Sequence, residues 1–189
     1  MCGRYFVDSD MYKVLLEIAD DIVLPHDQSL KDLHPGEMVP VLLMEDSHMI
    51  LQSLKWGFTL EYRKGLVINA RAETLLQKAL FKDDFQWHRC VIPARGFYEW
   101  DALKTPFTFE LPGSPCLFMA GLYNEAGQMA IITTCANASM QAIHPRMPLL
   151  LPISKVKTYL TNRESAKHLI QSIPEDVIVT SGLQQQSFF

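Results

Sequence analysis

The 189-residue sequence predicts an α+β fold, a single domain with a mostly antiparallel β-sheet or barrel core flanked by short helices. Three observations predict it. Strand-like runs follow one another directly over residues 90–134, where an α/β protein would alternate them with helices. Helical periodicity is confined to a few short stretches. Hydrophobic residues make up 48% of the chain, enough for one core of ordinary size.

Taken in order, residues 10–22 carry apolar side chains at Met11, Val14, Leu15 and Ile18, an amphipathic helix with Ser9 or Asp10 as its cap. Residues 25–40 are polar and turn-rich, an extended excursion. Residues 39–44 and 49–58 read as strands joined by a Glu45-Asp46-Ser47 turn. A short strand follows at 66–68 and a short helix at 73–81. The dense strand series is 90–93, 96–100, 106–111, 116–123 and 129–134. Hairpin turns are expected at Leu111-Pro112-Gly113-Ser114 and Asn124-Glu125-Ala126-Gly127. Residues 139–143 and the stretches after Ser154 and Asn162 read as helices. No internal repeat, low-complexity tract or linker divides residues 1–189.

No hydrophobic run approaches the ~20 residues that span a bilayer, and no charged-then-apolar leader precedes the domain, so no membrane partner is expected. Cys2, Cys90, Cys116 and Cys135 show no paired spacing, which points to a reducing, cytoplasmic setting. The six histidines are scattered, and His88-x-Cys90 is too little for a zinc site, so neither metal nor cofactor is expected. Net charge is −4, which argues against indiscriminate nucleic-acid binding. Its distribution is uneven. Residues 8–46 hold ten acids against Lys13 and Lys31, a net of −8, while residues 47–189 hold fourteen bases and eleven acids, a net of +3. An acidic segment turned away from a basic cleft and a merely solvated acidic face both fit that asymmetry.

The chain opens Met1-Cys2-Gly3-Arg4. Aminopeptidases remove Met1 when the next side chain is small, and cysteine qualifies. Cys2 would then carry a free α-amine and a thiol on adjacent carbons. With an α-amine near ~7.7–8.0 and a thiol near ~8.5, each is partly nucleophilic at neutral pH. Two chemistries stay open at this point. Cys2 can be the thiol nucleophile of an N-terminal hydrolase, or amine and thiol together can close a thiazolidine on an aldehyde.

Other segments are odd for a plain core. Trp56-Gly57-Phe58 ends a strand on an aromatic and a glycine. Asn69-Ala70-Arg71-Ala72-Glu73 sets polar groups where a strand gives way to a helix. Gly96-Phe97-Tyr98-Glu99-Trp100 places a carboxylate among aromatics, and His144-Pro145-Arg146-Met147-Pro148 pins a histidine and an arginine between prolines. Each has a structural explanation singly: Asn69 as a helix cap, Glu99 on an edge strand, His144 as a hydrogen-bonded core imidazole.

Together they resemble the SOS-response-associated peptidase (SRAP) family, whose members attach covalently to abasic sites in single-stranded DNA. The matching runs are Cys2-Gly3-Arg4-Tyr5, Trp56-Gly57-Phe58, Asn69-Ala70-Arg71-Ala72-Glu73-Thr74, Arg89-Cys90-Val91-Ile92-Pro93-Ala94 with Gly96-Phe97-Tyr98-Glu99-Trp100, Phe118-Met119-Ala120-Gly121-Leu122, and Ile143-His144-Pro145-Arg146-Met147-Pro148. They recur in family order over residues 2–152, and residues 153–189 diverge. Two departures stand out: Asp32 occupies the position of a family asparagine, and only residues 177–180 stand in for the family's closing strand.

The resemblance implies that the Cys2 amine condenses with the lesion's aldehyde and its thiol closes the thiazolidine. It assigns Asn69 to orienting the new N-terminus, Glu99 to opening the sugar as an acid, and His144 to moving protons. On the sequence, burial among Phe97, Tyr98 and Trp100 would raise the Glu99 pKa toward that task. Arg4, Arg71 and Arg146 are the implied phosphate contacts, and Trp56 and Trp100 the base-stacking surfaces. Leu80 and Phe81 are the implied wedge at a junction of single and double strand. The expected partner is single-stranded DNA with abasic sites, bound by a monomer, with strand cleavage a further outcome. An N-terminal-nucleophile amidohydrolase would need an Asn-Gly pair, which is absent: the residues after the asparagines are Ala70, Arg163, Glu125 and Ala138. A peptidase, or a non-covalent single-strand-binding module with Cys2 incidental, are the remaining readings.

Overall fold

Apolar residues at alternate positions, broken by turn residues, build most of the molecule. The computed structural model describes residues 2–181 of the 189. In chain order they form β1 (Tyr5–Val7), α1 (Ser9–Ile18), β2 (Lys31–Leu33), β3 (Met38–Glu45), β4 (His48–Trp56), β5 (Phe58–Leu60), β6 (Arg63–Val67) and β7 (Asn69–Arg71). Then come α2 (Ala79–Trp87), β8 (Arg89–Ala94), β9 (Gly96–Trp100), β10 (Pro106–Glu110), β11 (Leu117–Tyr123), β12 (Gln128–Cys135), β13 (Arg146–Pro148), α3 (Val156–Thr161), α4 (Arg163–Leu169) and β14 (Ile178–Ser181). The fold is α+β with mostly antiparallel sheets, as the clustered strand signals predict.

One sheet runs β14-β10-β9-β1-β2, and every neighbour pair in it is antiparallel. In the other, β11, β8, β3, β4 and β12 pair successively, and β12 pairs back to β11. That ring leaves no free edge among its five strands. β12 also carries β7 in parallel and β13 in antiparallel register. α2 and α3 cover β8, which is buried along its whole length. Between those helices the Arg89 guanidinium donates to the carbonyls of Phe85, Gln86, Tyr159 and Leu160, joining the ends of both.

Several boundaries differ from the sequence expectation for local reasons. The first helix is capped by Asp8, whose carboxylate accepts from the Met11 amide at 2.9 Å, and it stops at Ile18. Asp20 and Asp21 sit unfavourably at the negative end of the helix, and Met49 on β4 offers them backbone hydrogen bonds instead. The β3–β4 turn takes the left-handed pair Asp46 (φ 46°) and Ser47 (φ 70°), which suits strand twist. The single strand expected over 49–58 breaks at Gly57 (φ 114°), where a Cβ would lie 2.8 Å from the Leu66 Cβ. The helix expected over 73–81 becomes one tight turn at Leu75–Gln77 followed by α2, because Lys78 is extended between them. Leu111-Pro112-Gly113-Ser114 closes no hairpin; it carries the chain from one sheet to the other. Residues 139–143 are turns rather than helix, held by Asn137, whose amide also donates to the Pro174 and Glu175 carbonyls. The divergent C-terminal part does supply a strand, β14, which completes the five-stranded sheet against β10.

Candidate active site

β1 is an interior strand of its sheet, so the residues just before it are drawn into the molecule. Cys2 is 0% exposed. Its carbonyl accepts from Asn69 Nδ2 at 3.0 Å, and its thiol faces the Arg4 carbonyl at 3.9 Å. Burial, and then the nearby negative charge of Glu99, push this thiol up to about 12. Asn69 caps no helix. It opens β7, whose parallel pairing with β12 sets it opposite Ile131.

Glu99 is the last residue but one of β9 and is 3% exposed. Its Oε1 is 4.0 Å from His144 Nδ1, in the turn before β13. His144 Nδ1 also lies 2.8 Å from the Arg146 carbonyl and 3.1 Å from the Arg146 amide. Cys2, Asn69, Glu99 and His144 thus come together from β1's approach, β7, β9 and the turn before β13.

Some buried polar atoms of the site and of its surroundings have no hydrogen-bond partner. Among the described residues they include Arg4 Nε, Tyr5 Oη, Asn69 Oδ1 and Arg146 Nε. Leaving such a group unsatisfied costs about 1–3 kcal/mol, and Asn69 Oδ1 carries a cost of that order beside Cys2.

The residues expected to hold DNA divide. Arg71, Leu80 and Phe81 line one surface cleft of about 430 Å³ with Asn69, Tyr62, Thr74, Lys78 and Ala79. Arg71 is exposed and makes no ion pair among the described residues. Phe81 is only 7% exposed and packs on Phe58 with ring centroids 5.8 Å apart. The wedge expectation is therefore corrected for Phe81, whose ring anchors α2 to the core, and Leu80 is the more exposed of the two. Arg146 is engaged already: Nη1 pairs with Glu73 at 2.6 Å, and Nη2 donates to the Thr133 carbonyl at 2.6 Å. Trp56 is corrected outright. It is 0% exposed, lies against Tyr5 with centroids 5.1 Å apart, and donates from Nε1 to the Ile68 carbonyl at 3.2 Å. No face of that indole is open to a base.

Arg4 and Trp100 occupy a second cleft of about 280 Å³ with Asp32, Tyr98, Pro106, Phe107 and Thr108. Strand alternation puts Tyr98 and Trp100 on the face of β9 opposite Glu99. Arg4 lies over the Tyr98 ring at 4.7 Å and pairs with Asp32, which also accepts from the Tyr98 hydroxyl at 3.0 Å. The acid that replaces the family asparagine therefore does line a candidate binding surface, and it offsets the charge of Arg4. Burial, then that bond to Asp32, push the Tyr98 phenol up to about 12. Sequence reasoning does not single out Tyr98, Tyr62 or Lys78. A readable signal existed for Tyr62, an 83% exposed aromatic directly before Arg63 and Lys64; Tyr98 gave none, because its role depends on Asp32.

Among the described residues no group of three histidine, cysteine, aspartate or glutamate side chains is placed to hold a metal ion, and no helix is long and apolar enough to cross a membrane.

Known proteins resemble this chain in sequence and in fold. The profile of the SOS response associated peptidase (SRAP) family matches residues 1–185. The abasic site processing protein YoqW of Bacillus subtilis is 31% identical over 192 aligned positions, covering 92% of this chain and 86% of its own. YedK of Escherichia coli, also an abasic site processing protein, is 29% identical, with 88% and 82% covered. The HMCES protein of Xenopus tropicalis is 28% identical over 62% of this chain and 49% of its own. In fold, a phage-related protein of Bordetella bronchiseptica superimposes with a TM-score of 0.78 at 24% identity, covering 95% of this chain and 93% of that one. A protein of Bacteroides thetaiotaomicron gives a TM-score of 0.77 at 22% identity, with 95% and 91% covered. This chain belongs to the SRAP family.

Proposed function

We propose that this protein captures abasic sites in single-stranded DNA covalently, as part of a DNA-damage response, through a thiazolidine built on Cys2. Removal of Met1 exposes the Cys2 amine. Glu99 donates a proton to the ring oxygen of the abasic sugar, the anomeric hydroxyl gives up its own proton to His144, and the hemiacetal opens to its aldehyde. The amine adds to that carbonyl and expels one water, leaving an imine. The thiol then adds across the C=N bond: sulfur bonds to carbon, the π pair goes to nitrogen, and nitrogen takes the proton. Asn69 holds the Cys2 peptide during both additions, and His144 relays protons beside Glu99. The strand runs along the cleft of Arg71, Lys78 and Leu80, with Tyr62 as an exposed ring for stacking, and Arg4 and Trp100 serve its outer side.

The observation that carries this reading is the contact of Asn69 with the Cys2 carbonyl beside a buried carboxylate and an imidazole. The names of the relatives supply the lesion. Three finer features belong to the same proposal: action as a monomer in the cytoplasm, preference for junctions where Leu80 meets a duplex end, and strand cleavage by Glu99 and His144 as an alternative fate of the adduct.

The test is the intact mass of the protein alone and after incubation with an oligonucleotide bearing one abasic site. The expected result is a chain lacking Met1 and an adduct equal to protein plus oligonucleotide less one water. A Met1-free chain that forms no adduct would overturn the reading in favour of a non-covalent DNA-binding module.

A further inference from the structure

A histidine that takes up a proton as the sugar opens must keep its ring in place through a change of charge. The Arg146 peptide provides for both states. Its carbonyl lies 2.8 Å and its amide nitrogen 3.1 Å from His144 Nδ1. A protonated Nδ1 donates to the carbonyl, and a bare Nδ1 accepts from the amide. Glu99 Oε1 lies 4.0 Å from the same nitrogen. The alignment of the imidazole thus depends on where the Arg146 backbone sits.

That backbone has only a short strand to hold it. Arg146 opens β13, which is three residues long, and Pro145 before it and Pro148 at its end have no N–H to pair. The Arg146 side chain adds an anchor. Nη2 donates to the Thr133 carbonyl at 2.6 Å and to the Thr133 hydroxyl at 3.2 Å, and Nη1 donates to Glu73 Oε1 at 2.6 Å. Glu73 is fixed from the same strand. It lies in the turn directly after β7, and the residue before it, Ala72, donates from its amide to the Thr133 carbonyl at 2.9 Å. One segment therefore reaches both halves of the site: Asn69 meets the Cys2 carbonyl, and Glu73 meets Arg146.

We infer that Glu73 is a positioning residue for His144: its carboxylate holds the Arg146 guanidinium, and with it the peptide that keeps the imidazole aligned beside Glu99. The inference rests on the proton role proposed for His144 above. Glu73 itself exchanges no proton in the reaction. A rival account of the same ion pair is that Glu73 only occupies a guanidinium that would otherwise meet a phosphate. The two accounts part over which quantity changes when the carboxylate is removed, the rate at saturation or the affinity for the strand.

Rates of adduct formation on an oligonucleotide with one abasic site, measured at increasing protein concentration, test this with Glu73→Ala, Glu73→Gln, His144→Ala and the double variant Glu73→Ala/His144→Ala. Glu73→Ala is expected to lower the maximal rate roughly tenfold, the scale of a lost alignment, without raising the half-saturating concentration. Glu73→Gln should recover most of that rate, because its amide oxygen still accepts from Nη1. The double variant should be no slower than His144→Ala, because both losses act through one imidazole. An unchanged maximal rate in Glu73→Ala would overturn the inference, and tighter binding beside it would favour the phosphate account. Losses that multiply in the double variant would also overturn it, since the effect of Glu73 would then lie away from His144. So would a Glu73→Gln protein no faster than Glu73→Ala. If His144→Ala forms the adduct at the wild-type rate, the proton role of His144 fails and takes the inference with it, a failure visible before Glu73 is changed.

Discussion

Asn69 Nδ2 and the Cys2 carbonyl meet at 3.0 Å although 67 residues separate them in sequence. The bond holds the Cys2 peptide, and the parallel pairing of β7 with β12 sets Asn69 in place for it. Asn69→Ala should lower stability by about 1 kcal/mol, the usual net worth of one such bond. Adduct formation should slow far more than that, by roughly tenfold or beyond, because orientation is lost as well. Denaturation midpoints and single-turnover crosslinking rates check the two separately; equal small effects on both would reduce Asn69 to a packing residue.

Cys2→Ala should abolish the heat-stable adduct and leave reversible binding to intact single strands unchanged. Gel mobility under native and denaturing conditions reads both. An adduct that survives heating in this variant would place the chemistry elsewhere.

Glu99→Gln keeps the shape of the side chain and removes its acid function. Crosslinking is expected to fall by about 10²- to 10⁴-fold, the range for losing a general acid. Affinity for undamaged single strands should stay the same, since Glu99 faces the interior and not the clefts. Parallel loss of both would recast it as structural.

Asp32→Asn removes the carboxylate that pairs with Arg4 and keeps a hydrogen-bonding side chain beside Tyr98. Single-strand affinity at low salt should rise several-fold, and the slope of log K against log salt should steepen by about 0.7, the value for one further phosphate contact on a single strand. An unchanged slope would show that Arg4 takes no part in binding.

Alkaline pH should weaken the fold. The thiols of Cys2 and Cys116 are pushed up to about 12 by burial, and that of Cys90 is raised further still. In the unfolded chain a thiol releases its proton near ~8.5, so above that pH the unfolded state binds fewer protons than the folded one and stability declines. Each buried thiol contributes about 1.4 kcal/mol of loss per pH unit between the unfolded and folded values. Urea midpoints measured between pH 7 and pH 10 should be flat at first and then fall steeply.

Much of this protein was legible in its residues. The strand series after Arg89, the Asn124–Gly127 hairpin turn and the α+β class follow from short-range alternation and turn chemistry, which act over a few residues and need no partner. The residues proposed for the site stand out by type: a cysteine next to the initiator, a carboxylate in an aromatic run, and a histidine beside prolines. Boundaries that failed did so where a distant group offered a better bond, as Met49 does to Asp20, or where one backbone angle broke a periodic run, as at Lys78 and Gly57.

Only the tertiary structure decided which side of each strand faces the Cys2 site. Glu99 and Trp100 are neighbours in sequence yet lie on opposite faces of β9, so one joins Cys2 and the other joins Arg4 and Asp32. Trp56 was readable as an aromatic at a strand end, but its burial depends on Tyr5 and Ile68 closing over it from separate elements. The partners of Arg4, Arg146 and Tyr98 are equally distant. A sequence determines which groups can react and which local shapes the chain prefers. Burial and pairing are properties of surfaces that exist only after strands far apart in sequence have met.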